Sequence, residues 1–201
     1  MSNWIISVIT EFGYAGLFLL MLLESVFPPI PSELIIPFAG FAAARGDLNF
    51  LGVILAATGG AVVGMIPWYL VGRLFGLERV RWMADRWGRW FTLNAAEIDQ
   101  ATGWFVRFGP VIVLVGRLIP IIRTLISVPA GLARMSPVLF FGASTLGALI
   151  WNTILVSAGY LLNDHYTEVE VFLDPLTTIV LAGVVLLYLF RLVTWRPSTA
   201  R

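Results

Sequence analysis

The sequence contains no cysteine and no lysine, a single histidine, and few charges of either sign. Without cysteine there can be no disulfide and no thiolate metal site, and the compartment is left open. The thirteen basic residues are all arginine, and the net charge is only +1, with no basic patch suited to nucleic acid. Charged residues make up 12% of the chain, against about 25% in ordinary soluble domains. His165 stands alone, without a ligand-spaced partner. No P-loop, nucleophile elbow or paired metal-ligand motif is present, so neither an enzyme, a cofactor nor a metal is expected. No polar or Pro/Ser-rich linker divides residues 1–201, which read as one domain. Residues 4–23 have the apolarity of a signal peptide but lack its basic start and small-residue cleavage site, and are expected in the mature protein.

What the chain has in abundance is hydrocarbon: 59% of its residues are hydrophobic. A spanning helix needs roughly 20 apolar residues to cross about 30 Å. Leu48 to Gly72, Pro137 to Leu162 and Pro175 to Phe190 meet this with no internal charge. Two further apolar stretches are interrupted. Phe12 to Ala44 is broken by Glu24, Pro28, Pro29, Pro31 and Glu33, and Phe108 to Leu132 by Gly116, Arg117, Pro120 and Arg123. About a dozen apolar residues flank each break, and at about 1.5 Å per residue such an arm reaches only the bilayer middle. Both stretches therefore read as re-entrant hairpins, whose irregular tips are tolerated where protein or water surrounds them.

Loop charges give the orientation. The segment Arg73 to Arg107 and the tail after Phe190 are rich in arginine, whereas Asn163 to Asp174 carries Asp164, Glu168, Glu170 and Asp174 and no arginine. The positive-inside rule then puts the first two in the cytoplasm and the third outside. Three spans and two hairpins satisfy this with the N-terminus outside and the C-terminus inside. The segment Glu78 to Thr102 mixes Trp82, Trp87, Trp90 and Phe91 with arginine and aspartate, a composition suited to the headgroup region.

The halves also resemble each other. Phe12-Gly13, a charged break, Ala39-Gly40 and Gly60…Gly72 are followed by Phe108-Gly109, a charged break, Ala130-Gly131 and Gly147…Gly159. The expected fold is thus an all-α integral membrane protein: an inverted repeat of re-entrant hairpin plus transmembrane helix, with one further C-terminal transmembrane helix. Its parts are a first repeat at about 12–76, an interfacial segment at about 78–102, a second repeat at about 105–162 and a last helix at about 175–193. Inverted repeats with broken helices meeting at the midplane are common in secondary transporters.

Four charges remain in apolar surroundings: Glu24 and Glu33 on the first hairpin, Arg117 and Arg123 on the second. A central membrane charge costs at least about 2.5–3.5 kcal/mol on insertion scales and usually faces a partner or a cavity. One reading is a scaffold in which carboxylates and guanidiniums pair to hold the tips together. The other is a phosphate clamp, because guanidinium stays ionised and binds phosphate oxygens with two parallel hydrogen bonds. A carboxylate beside such a clamp could carry a proton and compete for the arginines. Trp151 and Asn152 would line the cavity, and Gly60-x-x-x-Gly64 would let helices pack closely. Asp47 follows the first hairpin at the outer surface and could guide protons, or be a solvated loop carboxylate. Exposed small-residue faces would allow a homo-oligomer.

These motifs resemble the DedA family, which includes the SNARE-associated Golgi protein or VTT domain. Glu24-x-x-x-Pro28-Pro29-x-Pro31-x-Glu33 is similar to the family's acidic, proline-rich hairpin. Gly116-Arg117-x-x-Pro120-x-x-Arg123 followed by Ala130-Gly131 is similar to its basic hairpin, and Phe140, Gly147, Trp151 and Asn152 resemble its following span. The resemblance covers about Phe12 to Gly159. It implies lipid transport across a bacterial inner membrane. Family members import undecaprenyl phosphate, others affect cationic-peptide resistance and depend on the proton gradient, and eukaryotic relatives scramble phospholipids. Carried over, Arg117 and Arg123 would handle phosphate and Glu24 and Glu33 would be their acidic partners. Asp47 would correspond to a family acidic residue soon after the first hairpin. The competing readings are a passive scramblase and a small-ion or proton transporter that affects the envelope indirectly.

Overall fold

The computed structural model describes residues 2–26, 32–91, 95–119, 122–123, 125–162 and 190. Among them every regular element is helical: α1 (Ser2–Val26), α2 (Ser32–Ala44), α3 (Phe50–Gly64), α4 (Ile66–Phe91), α5 (Ala95–Arg117), α6 (Ser127–Leu132) and α7 (Pro137–Leu161). Ser7–Val26, Phe50–Val80 and Pro137–Leu161 are long and apolar enough to cross a membrane. Leu51, Leu55, Val111, Val138 and Leu161 are exposed on the helix flanks, which suits a hydrocarbon solvent. The architecture is that of an all-α integral membrane protein. The acidic connection, the expected last span apart from Phe190, His165 and the arginine-rich tail lie outside the described residues. So do Pro28, Pro29, Pro31 and Pro120, and the side chains of Trp87, Trp90 and Phe91.

The helices begin and bend where local chemistry dictates. Asn49 caps α3, its side chain accepting from the Leu51 and Gly52 amides at 3.0 and 3.2 Å. The Tyr14 hydroxyl accepts from the Asn49 amide at 2.7 Å, fixing the start of α3 to α1. α1 begins ten residues before the expected hairpin start, because Ile5 and Ile9 are buried in the same core as Leu17 and Leu20. It kinks at Gly13, whose φ of 54° suits glycine. By total length α1 could span, but the arm beyond the kink, residues 14–26, is only about 20 Å long. α5 kinks at Phe108, just ahead of Pro110, which lacks an amide proton and crowds the preceding turn. The bends in α1 and α5 thus fall at the matched Phe-Gly pairs.

The expected span from Leu48 to Gly72 is divided. α3 ends at Gly64 and α4 starts at Ile66, with Met65 at the break. Pro67 cannot donate to the preceding turn, so a new helix starts there. α4 then continues to Phe91, past the expected end of the span, with a second bend at Gly76 (φ 73°). That bend separates the apolar part from the segment beginning at Glu78, which runs through the end of α4 and into α5.

Packing repeats between the halves. α1 lies on α3 and α5 on α7, while the short arms cross over: α2 packs on α7 and α6 on α4. A Cβ on Gly40 of α2 would collide with the Val156 carbonyl of α7, and one on Gly159 of α7 with the Pro37 carbonyl of α2. The second half has the counterpart: Gly131 of α6 meets the Tyr69 carbonyl of α4, and Gly72 of α4 meets that of Val128. Pro37 and Gly40 are spaced as Val128 and Gly131 are, and Val156 and Gly159 as Tyr69 and Gly72. Gly60 against α1 likewise matches Gly147 against α5. Lipid supplies little hydrophobic drive between helices, so small residues that admit close backbone approach hold them together. α3–α4 and α7 run antiparallel: Phe50 meets Tyr160 edge-on at 5.4 Å, and Tyr69 stacks on Phe140 at 4.5 Å.

Candidate functional site

The broken ends converge. Glu24 and Ser25 close α1, Ser32 and Glu33 open α2, Arg117 ends α5, and Arg123 and Ser127 lie at the approach to α6. They meet the α3–α4 break and the middle of α7. Because helix ends carry unpaired backbone groups, polar side chains gather where these ends meet.

Glu24, Arg117 and Arg123 are almost fully buried. Arg123 donates through Nη2 to the Glu24 carboxylate and to the Ser32 hydroxyl. The Glu33 carboxylate lies 3.8 Å from the same nitrogen. Ser25 donates to the other Glu24 oxygen at 3.3 Å. Arg123 is therefore the hub of the acidic hairpin. Arg117 is placed differently. Its Nη2 reaches the Met65 sulfur at 2.7 Å and the Ser127 hydroxyl at 3.1 Å, its Nε is buried without a partner, and no described carboxylate pairs with it. Among the described residues the Arg117 guanidinium thus hydrogen-bonds only a thioether and a hydroxyl, which compensate a buried cation poorly, and its Nε is a donor to spare.

Between the two arginines lies a cavity of about 20 Å³, bordered by Glu24, Ser25, Arg117, Arg123, Trp151 and Asn152 among others. That is room for about one water. Admitting a phosphate would require the Glu24 carboxylate or the arginine side chains to swing aside. The indole Nε1 of Trp151 is buried and unpaired at this cavity. Asn152 donates to Thr58 at 3.0 Å, tying α7 to α3.

The four charges singled out in the apolar stretches of the sequence are thus neighbours, as are Trp151 and Asn152. Asp47 is not among them: it is exposed in the turn after α2 and does not border the cavity. Gly116 faces the Ile126 side chain, and Gly131 presses on α4. Sequence reasoning did not find Ser25, Ser32, Met65, Thr58 or Ser127. Ser127 was the one with a signal, one helical turn beyond Arg123.

The VTT domain family matches residues 12–161. An alkaline phosphatase-like protein of Lactococcus lactis subsp. cremoris is 43% identical over 90% of this chain and 86% of its own length. A Staphylococcus aureus protein named undecaprenyl phosphate transporter A is 38% identical over 83% of this chain and 82% of its own. A Bacillus subtilis protein of the same name is 31% identical over 96% and 94%. No solved structure gives a match.

Proposed function

The chain belongs to the VTT-domain (DedA) family, and on that premise we propose that it moves a phosphate-headed lipid, undecaprenyl phosphate foremost, between the leaflets of a bacterial inner membrane, coupled to protons. The observation that carries this reading is Arg117: a buried guanidinium with an unpaired Nε and no described carboxylate partner, beside a cavity. A lipid phosphate supplies the missing anion, and guanidinium binds it through paired hydrogen bonds. Two relatives named as undecaprenyl phosphate transporters support the choice of lipid.

The mechanism follows from competition. Glu24 occupies Arg123 and closes the cavity. A phosphate arriving at Arg117 displaces Glu24 from Arg123, and the lipid tail stays in the bilayer. A proton taken up by Glu24 or Glu33 discharges the competing carboxylate and favours the phosphate-bound arrangement; its loss restores the ion pair and expels the phosphate. The antiparallel α3–α4 and α7 and the matched glycine contacts support two inverted repeats, with α1–α2 and α5–α6 as hairpins entering from opposite faces. On this reading the N-terminus is outside and the C-terminus cytoplasmic.

One relative is named alkaline phosphatase-like; the transport reading rests instead on Arg117 and on the two relatives named as transporters. The experiment is binding of undecaprenyl phosphate to purified protein in nanodiscs, with phosphatidylethanolamine as headgroup control. Selective binding by the wild type that Arg117→Ala abolishes, with the protein still folded, is the expected result. Equal binding by both proteins would make Arg117 a scaffold residue and end the clamp reading.

A further inference from the structure

An apolar groove of about 380 Å³ runs between α5 and α7, on the outer flank of the molecule. Its walls are Pro110, Val111 and Leu114 on one side and Val138, Leu139, Gly142, Ala143 and Leu146 on the other; none has a polar side chain. Val111, Val138 and Leu139 are largely exposed, so the groove is open to the bilayer. It exists because Gly142 and Ala143 contribute almost no side chain at its floor. Open space surrounds the Gly142 position, where an added Cβ would meet nothing within 4 Å.

The groove ends at one particular place. Leu114 and Leu146 close it, and immediately beyond them α5 and α7 cross, where a Cβ on Gly147 would lie 2.7 Å from the Arg117 Cβ and 3.1 Å from the Leu114 carbonyl. Leu114 precedes Arg117 by a single turn of α5. The apolar groove and the buried guanidinium therefore occupy two sides of one helix crossing.

We infer that this groove seats the first part of the hydrocarbon chain of the lipid whose phosphate Arg117 holds. The inference rests on the phosphate-clamp reading and adds to it a second, chain-reading subsite. A groove of this volume is at the low end of small-molecule pockets, about 300–1,000 Å³, so it accepts a chain segment and leaves the remainder in the bilayer. It reads length and shape next to the headgroup, where Arg117 reads charge. Gly142 lies about 7–8 Å along α7 from the crossing. A chain of one isoprene unit stops short of it, and a long polyprenyl chain does not.

The test uses full-length protein in nanodiscs with two phosphate probes, undecaprenyl phosphate and dimethylallyl phosphate, and phosphatidylethanolamine as a third, headgroup-control probe. Gly142→Leu adds bulk to the floor from a position where an added Cβ meets nothing within 4 Å, and Val111→Phe narrows the groove from the opposite wall should the first variant fail to fold. Each is expected to weaken undecaprenyl phosphate about tenfold by excluding a few methylene groups, and to leave dimethylallyl phosphate unchanged. Unchanged binding of both phosphate probes, or an equal loss of both, overturns the chain subsite while the Arg117 clamp stands. A loss equally large for phosphatidylethanolamine means the groove takes any acyl chain, and a change of oligomeric mass without a change in lipid binding means it seats a second copy; both overturn the inference. Failure of wild type to bind either phosphate probe removes the clamp itself, and the groove assignment with it.

Discussion

Arg123 and Glu24 form a buried ion pair that ties the end of α1 to the segment leading into α6, joining the two broken stretches of the chain. Arg117, although equally buried, has no such partner among the described residues. The two arginines therefore differ in what their removal should do.

Arg123→Leu leaves the Glu24 carboxylate buried with, among the described residues, only Ser25 as a donor. Breaking a buried pair from one side typically costs about 3–5 kcal/mol, because the remaining charge is uncompensated. A marked fall in thermal stability in detergent is expected. The double change Glu24→Leu with Arg123→Met should recover most of it and leave lipid transport absent. A double variant as unstable as the single one would show that Arg123 stabilises through Ser32 and Glu33 instead.

Arg117→Ala orphans no carboxylate and should leave stability within about 1 kcal/mol of wild type, or raise it, since a poorly compensated buried charge is removed. Phosphate-lipid binding should nevertheless be lost. Arg117→Lys keeps the charge but not the planar fork, and an intermediate affinity is expected. A large stability loss in Arg117→Ala with unaltered lipid binding would reverse the assignment of roles.

How much of this could be read without coordinates depended on the kind of signal. Glu24, Glu33, Arg117 and Arg123 stood out because a charge inside an apolar run has few inexpensive positions. The glycine pairs were visible as a repeat, since close helix crossings demand the same small residue in both halves. Which arginine takes the carboxylates was not legible, being a matter of side-chain reach across elements about a hundred residues apart. Ser32 and Met65 were also hidden: serine and methionine are common in apolar helices, and only the break before Pro67 puts the Met65 sulfur against Arg117. Asp47 was singled out for its position after the first hairpin, but the turn after α2 places it in the open.

The crossed packing of short arms on opposite spans makes a paired prediction. Gly40→Ala and Gly131→Ala each place a Cβ against a backbone carbonyl that cannot rotate away. Both should destabilise by about 1–3 kcal/mol, as overpacking does. Gly103→Ala, with open space at that position, serves as the control and should be neutral or stabilising. Thermal unfolding of the three variants checks this, and a neutral Gly40→Ala beside a destabilising Gly131→Ala would mean that the halves do not share one packing scheme.

Proton coupling separates a driven transporter from a passive scramblase. Transport of undecaprenyl phosphate into vesicles should accelerate under an imposed pH gradient in the wild type. In Glu24→Gln it should lose that acceleration, because the side chain is neutral at every pH and no longer competes for Arg123 in a proton-dependent way. Wild-type flux indifferent to the gradient would favour the scramblase, and proton or ion flux without lipid would favour the small-ion reading.

The absence of cysteine makes the membrane topology directly testable. The proposed orientation places the exposed turn containing Asp47 outside and the region after the Gly76 bend, where Arg79 is exposed, in the cytoplasm. Asp47→Cys should react with a membrane-impermeant maleimide in intact cells, and Arg79→Cys only after permeabilisation. Asp47 lies just before the stretch Phe50–Val80 and Arg79 at its far end; the 31 residues would extend about 45 Å as a helix, more than the roughly 30 Å hydrocarbon core. Labelling of both from the same side would therefore rule out that stretch as a span. Reversed labelling would keep the helices and invert the protein, placing the arginine-rich segment outside against the positive-inside rule.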